Sequence, residues 1–170
     1  MISELSKKLI FWYIYYVKEK SFILRSVEDT IYIGRKLGEI LLKNAKNYIV
    51  GLVGPLGAGK TTLVKGISEG LFAKDYVESP TFVFLNIYRG NLPLYHYDLY
   101  RVNNPKDFDD LGIFELVSKQ GIHVIEWGDK IEGLLDFDME IYLTILSETE
   151  RTLSIKVFNM ESVLDELSIP

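Results

Sequence analysis

The run Gly54-Pro55-Leu56-Gly57-Ala58-Gly59-Lys60-Thr61-Thr62 constrains this chain more than any other feature, because residues 54–61 match G-x-x-x-x-G-K-[ST] in full. Glycines at these places let the backbone curl so that successive N–H groups point inward at phosphate oxygens. A helix that starts at the lysine adds its positive N-terminal end. Lys60 is expected to reach the β- and γ-phosphates and Thr61 to ligate Mg²⁺. Thr62 is expected to bond a phosphate nearer the base. The motif requires a strand before it and a helix after it. Tyr48–Val53 is an apolar, β-branched run that reads as a buried strand. Residues 61–71 have helical character and close near Gly70. No Asn-Lys-x-Asp stretch, with which GTPases read guanine, occurs, so the expected ligand is ATP with Mg²⁺.

The remaining pattern sets the fold class. Residues 22–25 read as a short strand. Ser26 follows as an N-cap with Asp29 as its capping-box partner, opening an amphipathic helix over residues 27–43. Gly34 and Gly38 lie on one face of that helix and would let another element approach closely. Residues 82–88 and 94–99 read as strands around the turn Arg89-Gly90-Asn91. Pro105 suits a first helical turn capped by Asn104 and stopped at Gly112, and a second short helix covers residues 114–118. Ile122–Glu126 is a strand, residues 139–146 and 152–157 form a hairpin, and a last helix covers residues 161–167. Strands alternate with helices mid-chain, while two hairpins bring antiparallel pairs. The expected fold is α/β, a P-loop NTPase with a central mixed sheet flanked by helices. We expect a single ATPase domain over residues 21–170 and an N-terminal extension over residues 1–20.

Several side chains are candidates to serve the phosphate loop. Asp98 closes its strand, and a carboxylate at a strand tip beside such a loop is where Mg²⁺ is held, directly or through water. Glu126 also ends a strand and reads either as the group that positions the attacking water or as a surface carboxylate. Thr81, in Ser79-Pro80-Thr81, reads either as a hydroxyl that a switch loop swings onto the metal or as part of an ordinary proline turn. Trp127 reads either as a ring against the nucleotide or as a core residue. His96 and His123 read as strand residues of the core.

Composition excludes some functions. The 170 residues contain no cysteine, which removes disulfides and thiolate metal sites and suits a reducing compartment, so a cytoplasmic location is expected. The formal net charge of −5 does not suit an autonomous nucleic-acid binder. The apolar stretch at residues 9–17 is short against the roughly 20 residues of a membrane span. It is followed by Lys18-Glu19-Lys20-Ser21 rather than by a small-residue cleavage site. It reads as a strand or helix packed on the domain.

Taken in order, Gly54 to Thr62, Ser79-Pro80-Thr81-Phe82, Tyr95-His96-Tyr97-Asp98-Leu99-Tyr100-Arg101 and Glu126-Trp127 resemble the TsaE (YjeE) family. Glu28-Asp29-Thr30, followed by Gly34, Arg35 and Leu37, fits the same pattern, and the resemblance covers roughly residues 22–157. It implies a bacterial P-loop ATPase needed to make N6-threonylcarbamoyladenosine (t6A) at position 37 of tRNA. By the same resemblance the partners are TsaD and TsaB, tRNA is met only through their complex, and the ATPase is not itself the threonylcarbamoyl transferase. The implied roles are Lys60, Thr81 and Glu126 in catalysis and Thr61, Asp98 and Glu126 at the metal. Gly54, Leu56, Gly57, Ala58, Gly59, Lys60, Thr61, Thr62 and Trp127 are expected to hold the nucleotide.

The sequence departs from that family at Pro55, where members usually carry Asp or Glu, and at residues 1–20, which extend beyond the usual start. Two other readings of the loop stand beside this one. A nucleotide-sensing adaptor would bind ATP and barely hydrolyse it. A small-molecule kinase would need an arginine-bearing lid, and after Glu126 only a hairpin, one helix and Arg151 are expected.

Overall fold

The computed structural model describes residues 17–158 and 161–168. Seven strands form one mixed sheet: β1 (Val17–Leu24), β2 (Tyr48–Val53), β3 (Leu85–Tyr88), β4 (Leu94–Asp98), β5 (Ile122–Glu126), β6 (Met139–Ile145) and β7 (Arg151–Phe158). Their order across the sheet is β1-β7-β6-β2-β5-β4-β3. The inner strands β6, β2, β5 and β4 run parallel, while β1, β7 and β3 join antiparallel at the flanks. This is the mixed α/β sheet that the alternation of elements predicts.

The pleat of β2 shows why helices cover both faces. Tyr48, Val50 and Leu52 point into a core shared with helices α1 (Val27–Asn44) and α2 (Lys60–Gly70). Ile49 faces the other way, toward a second core with Tyr97, Phe108, Ile113 and Ile131. That side is covered by α3 (Pro105–Asp110), α4 (Ile113–Leu116) and a 3₁₀ turn over Gly128–Ile131. A short α5 (Glu161–Glu166) returns to the first face, where the Lys20 ammonium donates to the Leu164 and Leu167 carbonyls at 2.9 and 2.6 Å.

Local chemistry explains the boundaries. The Ser26 hydroxyl accepts the Asp29 N–H at 3.1 Å, as the capping box requires. The Asp29 carboxylate reaches back one residue further than expected, to the Arg25 N–H at 2.7 Å. α1 and α2 meet glycine to glycine. A β-carbon on Gly34 would stand 2.5 Å from the Leu63 carbonyl oxygen, and one on Gly66 2.3 Å from that of Ile31. Gly38 and Gly70 repeat the arrangement one turn on. The close approach expected of Gly34 and Gly38 is thus to the helix of the phosphate loop.

Two expectations need correction. β1 begins at Val17, so residues 17–20, counted above with the extension, stand in the sheet against β7. The rest of the apolar stretch at residues 9–17 lies outside the described residues. The strand expected over residues 82–88 starts only at Leu85. The Pro80 carbonyl takes the N–H groups of Val83 and Phe84, and Phe84 adopts φ 70°, so the chain turns before it pairs. The 3₁₀ turn after Trp127 has no clear apolar period and is not readable from spacing.

His123 is a structural histidine. Its Nε2 donates to the Lys119 carbonyl at 2.8 Å, leaving Nδ1 to accept from the Tyr97 hydroxyl at 3.0 Å. Burial pushes its pKa below the ordinary 6.5. The unfolded chain therefore binds this proton more readily, and the associated stability is present above about 6.5 and lost as pH falls. Burial raises Asp138 above its ordinary 3.8, which acts with the opposite sign, its contribution being lost as pH rises from about 3.8. The melting temperature should fall as pH drops through about 6.5. His123→Gln should flatten that slope, and a slope of equal size in the variant would remove His123 as its source.

Candidate functional site

The strand-to-helix turn at residues 54–60 is shaped by its glycines. Gly57 and Gly59 take φ of 77° and 101°, which a side chain would disfavour. A β-carbon on Gly54 would lie 2.4 Å from the Leu143 carbonyl oxygen. No side chain caps the start of α2, so the N–H groups of its first turn open on a cavity of about 300 Å³. Leu56, Gly57, Gly59, Lys60, Thr61 and Thr62 line it from the loop side. Ser79, Thr81, Asp98, Tyr100, Glu126 and Trp127 line it from the sheet side. Two of the expected loop residues do not line this cavity, although Ala58 lines the one that adjoins it. Gly54 contributes its carbonyl to Lys60, and Ala58 is buried in the core with its N–H on the Pro55 carbonyl.

Lys60 is almost fully buried, and its ammonium donates to the carbonyls of Gly54 and Pro55 at 2.7 and 3.0 Å. It sits 3.9 Å from the centroid of the Trp127 ring. Burial lowers its pKa, while Glu126, Asp98 and Asp129 work against that shift. Trp127, at φ 61°, is turned by its own backbone to this position and meets Tyr100 at 5.3 Å.

Asp98 and Glu126 are register partners on the adjacent strands β4 and β5. Both are buried, so Glu126 is not the surface carboxylate of the alternative reading. The Thr61 hydroxyl donates to Glu126 Oε1 at 2.7 Å. His96, also buried, meets that same oxygen through Nε2 at 2.8 Å. The Thr81 hydroxyl bonds Asp98 Oδ2, and the Ser79 hydroxyl reaches it at 3.0 Å. Asp98 Oδ1 takes the Tyr100 N–H at 2.9 Å. The strand tips therefore gather Thr61, Thr81, Asp98 and Glu126 as expected. They also bring in two residues that sequence reasoning left out, Ser79 and His96. Ser79 stood in a quoted string but was given no role, and a histidine inside an apolar strand reads as core.

The residues fit a magnesium–nucleotide. A curled loop with uncapped N–H groups suits phosphate oxygens, and two buried carboxylates beside a threonine hydroxyl suit a hard cation. Among the described residues no three His, Asp or Glu converge as a self-sufficient metal cage. A Mg²⁺ here would take its remaining ligands from phosphate and water.

A second cavity, about 390 Å³, adjoins the first across Gly57, Gly59 and Thr62. Its outer wall is Arg25, Ser26, Val27 and Thr30 at the start of α1, with Glu148, Thr149 and Arg151 from the β6–β7 turn. The Arg151 guanidinium reaches the Gly57 carbonyl at 3.4 Å. Trp127 lines the first cavity and not this one.

Comparison with known proteins agrees with this architecture. Residues 24–154 match the family described as "Threonylcarbamoyl adenosine biosynthesis protein TsaE". The chain belongs to the TsaE family. A relative from Treponema pallidum, named tRNA threonylcarbamoyladenosine biosynthesis protein TsaE, is 38% identical over 134 residues, 78% of this chain and 97% of its own. The protein of the same name from Bacillus subtilis is 38% identical over 124 residues, 71% of this chain and 77% of its own. Among solved structures, Bacillus subtilis YdiB superposes with a TM-score of 0.72 at 30% identity, covering 88% of this chain and 94% of that one. As a TsaE family member the chain is tied to t6A biosynthesis in tRNA. No helix among the described residues is long and apolar enough to cross a membrane.

Proposed function

We propose that this protein is a Mg-dependent ATPase of the t6A machinery that acts on a TsaD–TsaB complex in the cytoplasm. The observation that carries the ATPase reading is the pairing of buried Asp98 and Glu126 across β4 and β5, beside Lys60 and Thr61. A nucleotide-sensing adaptor needs the loop but has no use for a second buried carboxylate held at its rim. A small-molecule kinase finds no lid among the described residues. After Glu126 come only the 3₁₀ turn, the β6–β7 hairpin and α5.

In this reading the loop N–H groups and Lys60 hold the β- and γ-phosphates, and Lys60 leaves its carbonyl cradle to do so. Thr61 and Asp98 hold Mg²⁺, which when bound would neutralise charge developing on the phosphates. Glu126 would orient the attacking water, and Thr81, which bonds Asp98 here, would offer a further hydroxyl to the metal. The nucleoside occupies the second cavity, against the start of α1 and Arg151. Leu56 and Tyr100, which line the phosphate cavity, and Phe82 and Val83, which follow Thr81 in the chain, are exposed apolar side chains, a surface suited to a protein partner. The net charge of −5 supports tRNA contact through that partner.

The test is single-turnover hydrolysis of MgATP by excess protein, with and without TsaD and TsaB. We expect slow cleavage alone and a changed rate with both partners. ATP left intact under both conditions would favour the adaptor, and a rate indifferent to both partners would remove the proposed role. Glu126→Gln should keep ATP binding and slow hydrolysis by about a hundredfold. Unchanged turnover would take Glu126 out of the catalytic set.

A further inference from the structure

We infer that His96 is a positioning residue for Glu126, fixing one carboxylate oxygen so that the other faces the phosphate cavity. The inference rests on the ATPase reading above. A carboxylate oxygen only accepts, so the proton of the 2.8 Å contact sits on His96 Nε2. Thr61 donates to the same oxygen, Oε1. Both bonds thus fall on one side of the carboxylate, and Oε2 is left to the cavity that Glu126 lines. Once the Thr61 hydroxyl is committed to a metal, His96 is the side chain that keeps Oε1 in place.

The other ring nitrogen shows that the fold gains nothing else polar from this histidine. His96 Nδ1 is buried and has no hydrogen-bond partner, the one such side-chain atom among the described residues. His123 makes the contrast, since both of its nitrogens are bonded within the fold. An imidazole kept only for packing would serve better as an apolar ring, because a buried unpaired nitrogen is a cost without return. At His96 the one directed contact is with the carboxylate proposed to orient water. Histidines in this setting orient the groups that meet a metal or a reacting water, and losing such a partner weakens activity about 10–100-fold.

The experiment compares three variants by single-turnover hydrolysis of MgATP, by ATP affinity measured in EDTA and by thermal melting. Glutamine carries its amide nitrogen near the place of Nε2, and asparagine near that of Nδ1. His96→Gln should hydrolyse within about threefold of wild type, and His96→Asn about 10–100-fold more slowly, both with unchanged ATP affinity. His96→Phe keeps a ring and loses the donor. It should melt no lower than wild type yet hydrolyse as slowly as His96→Asn. In a Glu126→Gln background neither slow variant should cost more than about twofold further, as expected of two residues acting through one contact. Equal rates for the Gln, Asn and Phe variants, or the same loss in both backgrounds, would overturn the assignment. An active wild type with such variants overturns this inference alone, whereas a wild type that leaves ATP intact overturns the ATPase reading with it.

Discussion

Lys60→Ala is expected to abolish ATP binding at micromolar nucleotide, with the fold intact. The ammonium is buried, and its present partners are two backbone carbonyls of its own loop, at 2.7 and 3.0 Å. Charged hydrogen bonds to phosphate contribute about 3 kcal/mol, which corresponds to roughly a hundredfold in Kd. The loss here should be at least that large, because the burial that lowers the Lys60 pKa also removes the water that would screen it. Gly54 and Pro55 would keep their carbonyls near solvent in the variant, so melting should change little. Equilibrium dialysis or calorimetry checks the first part, and retained micromolar affinity would contradict the assignment of the loop.

Gly66→Val carries the second large effect, on stability. The new β-carbon would stand 2.3 Å from the Ile31 carbonyl oxygen and 3.0 Å from the Gly34 α-carbon. Both neighbours are backbone, so neither can swing aside, and α1 and α2 must separate. Overpacking of a tight contact costs about 1–3 kcal/mol, and at two rigid backbones the upper value is expected. For a chain of this size that lowers Tm by roughly 6–12 °C. Gly66→Ala sharpens the test. Helix propensity alone would raise stability by about 1 kcal/mol, whereas the clash requires a loss. An alanine variant that melts higher than wild type would mean that the helices are not packed this closely.

How far the sequence could be read depended on how local the rule was. The phosphate loop, the Ser26 cap and Tyr48–Val53 each follow from a few neighbouring residues, and each stands where spacing puts it. Asp98 and Glu126 were legible as strand ends, and the parallel pairing of β4 with β5 then sets them side by side. The misread segment, residues 82–84, is apolar and strand-like in composition. It turns because the Pro80 carbonyl captures two N–H groups, which composition does not reveal. The second cavity was out of reach for another reason. It is made by Ser26 and Arg151, 125 positions apart (151 minus 26), and only the sheet brings them together. His96 looks like His123 from the sequence. Only the bonding of the two rings tells the site histidine from the structural one.

The glycine contact between α1 and α2 also governs how motion passes through the molecule. Most helix pairs meet through interleaved side chains, a layer that repacks when one helix tilts. Here carbonyl meets α-carbon at Gly34, Gly38, Gly66 and Gly70, and no such cushion intervenes. With backbone against backbone, α1 and α2 have little room to tilt independently. The start of α1 walls the second cavity, so the phosphate end of α2 and the wall formed by Val27 and Thr30 belong to one tightly packed helix pair.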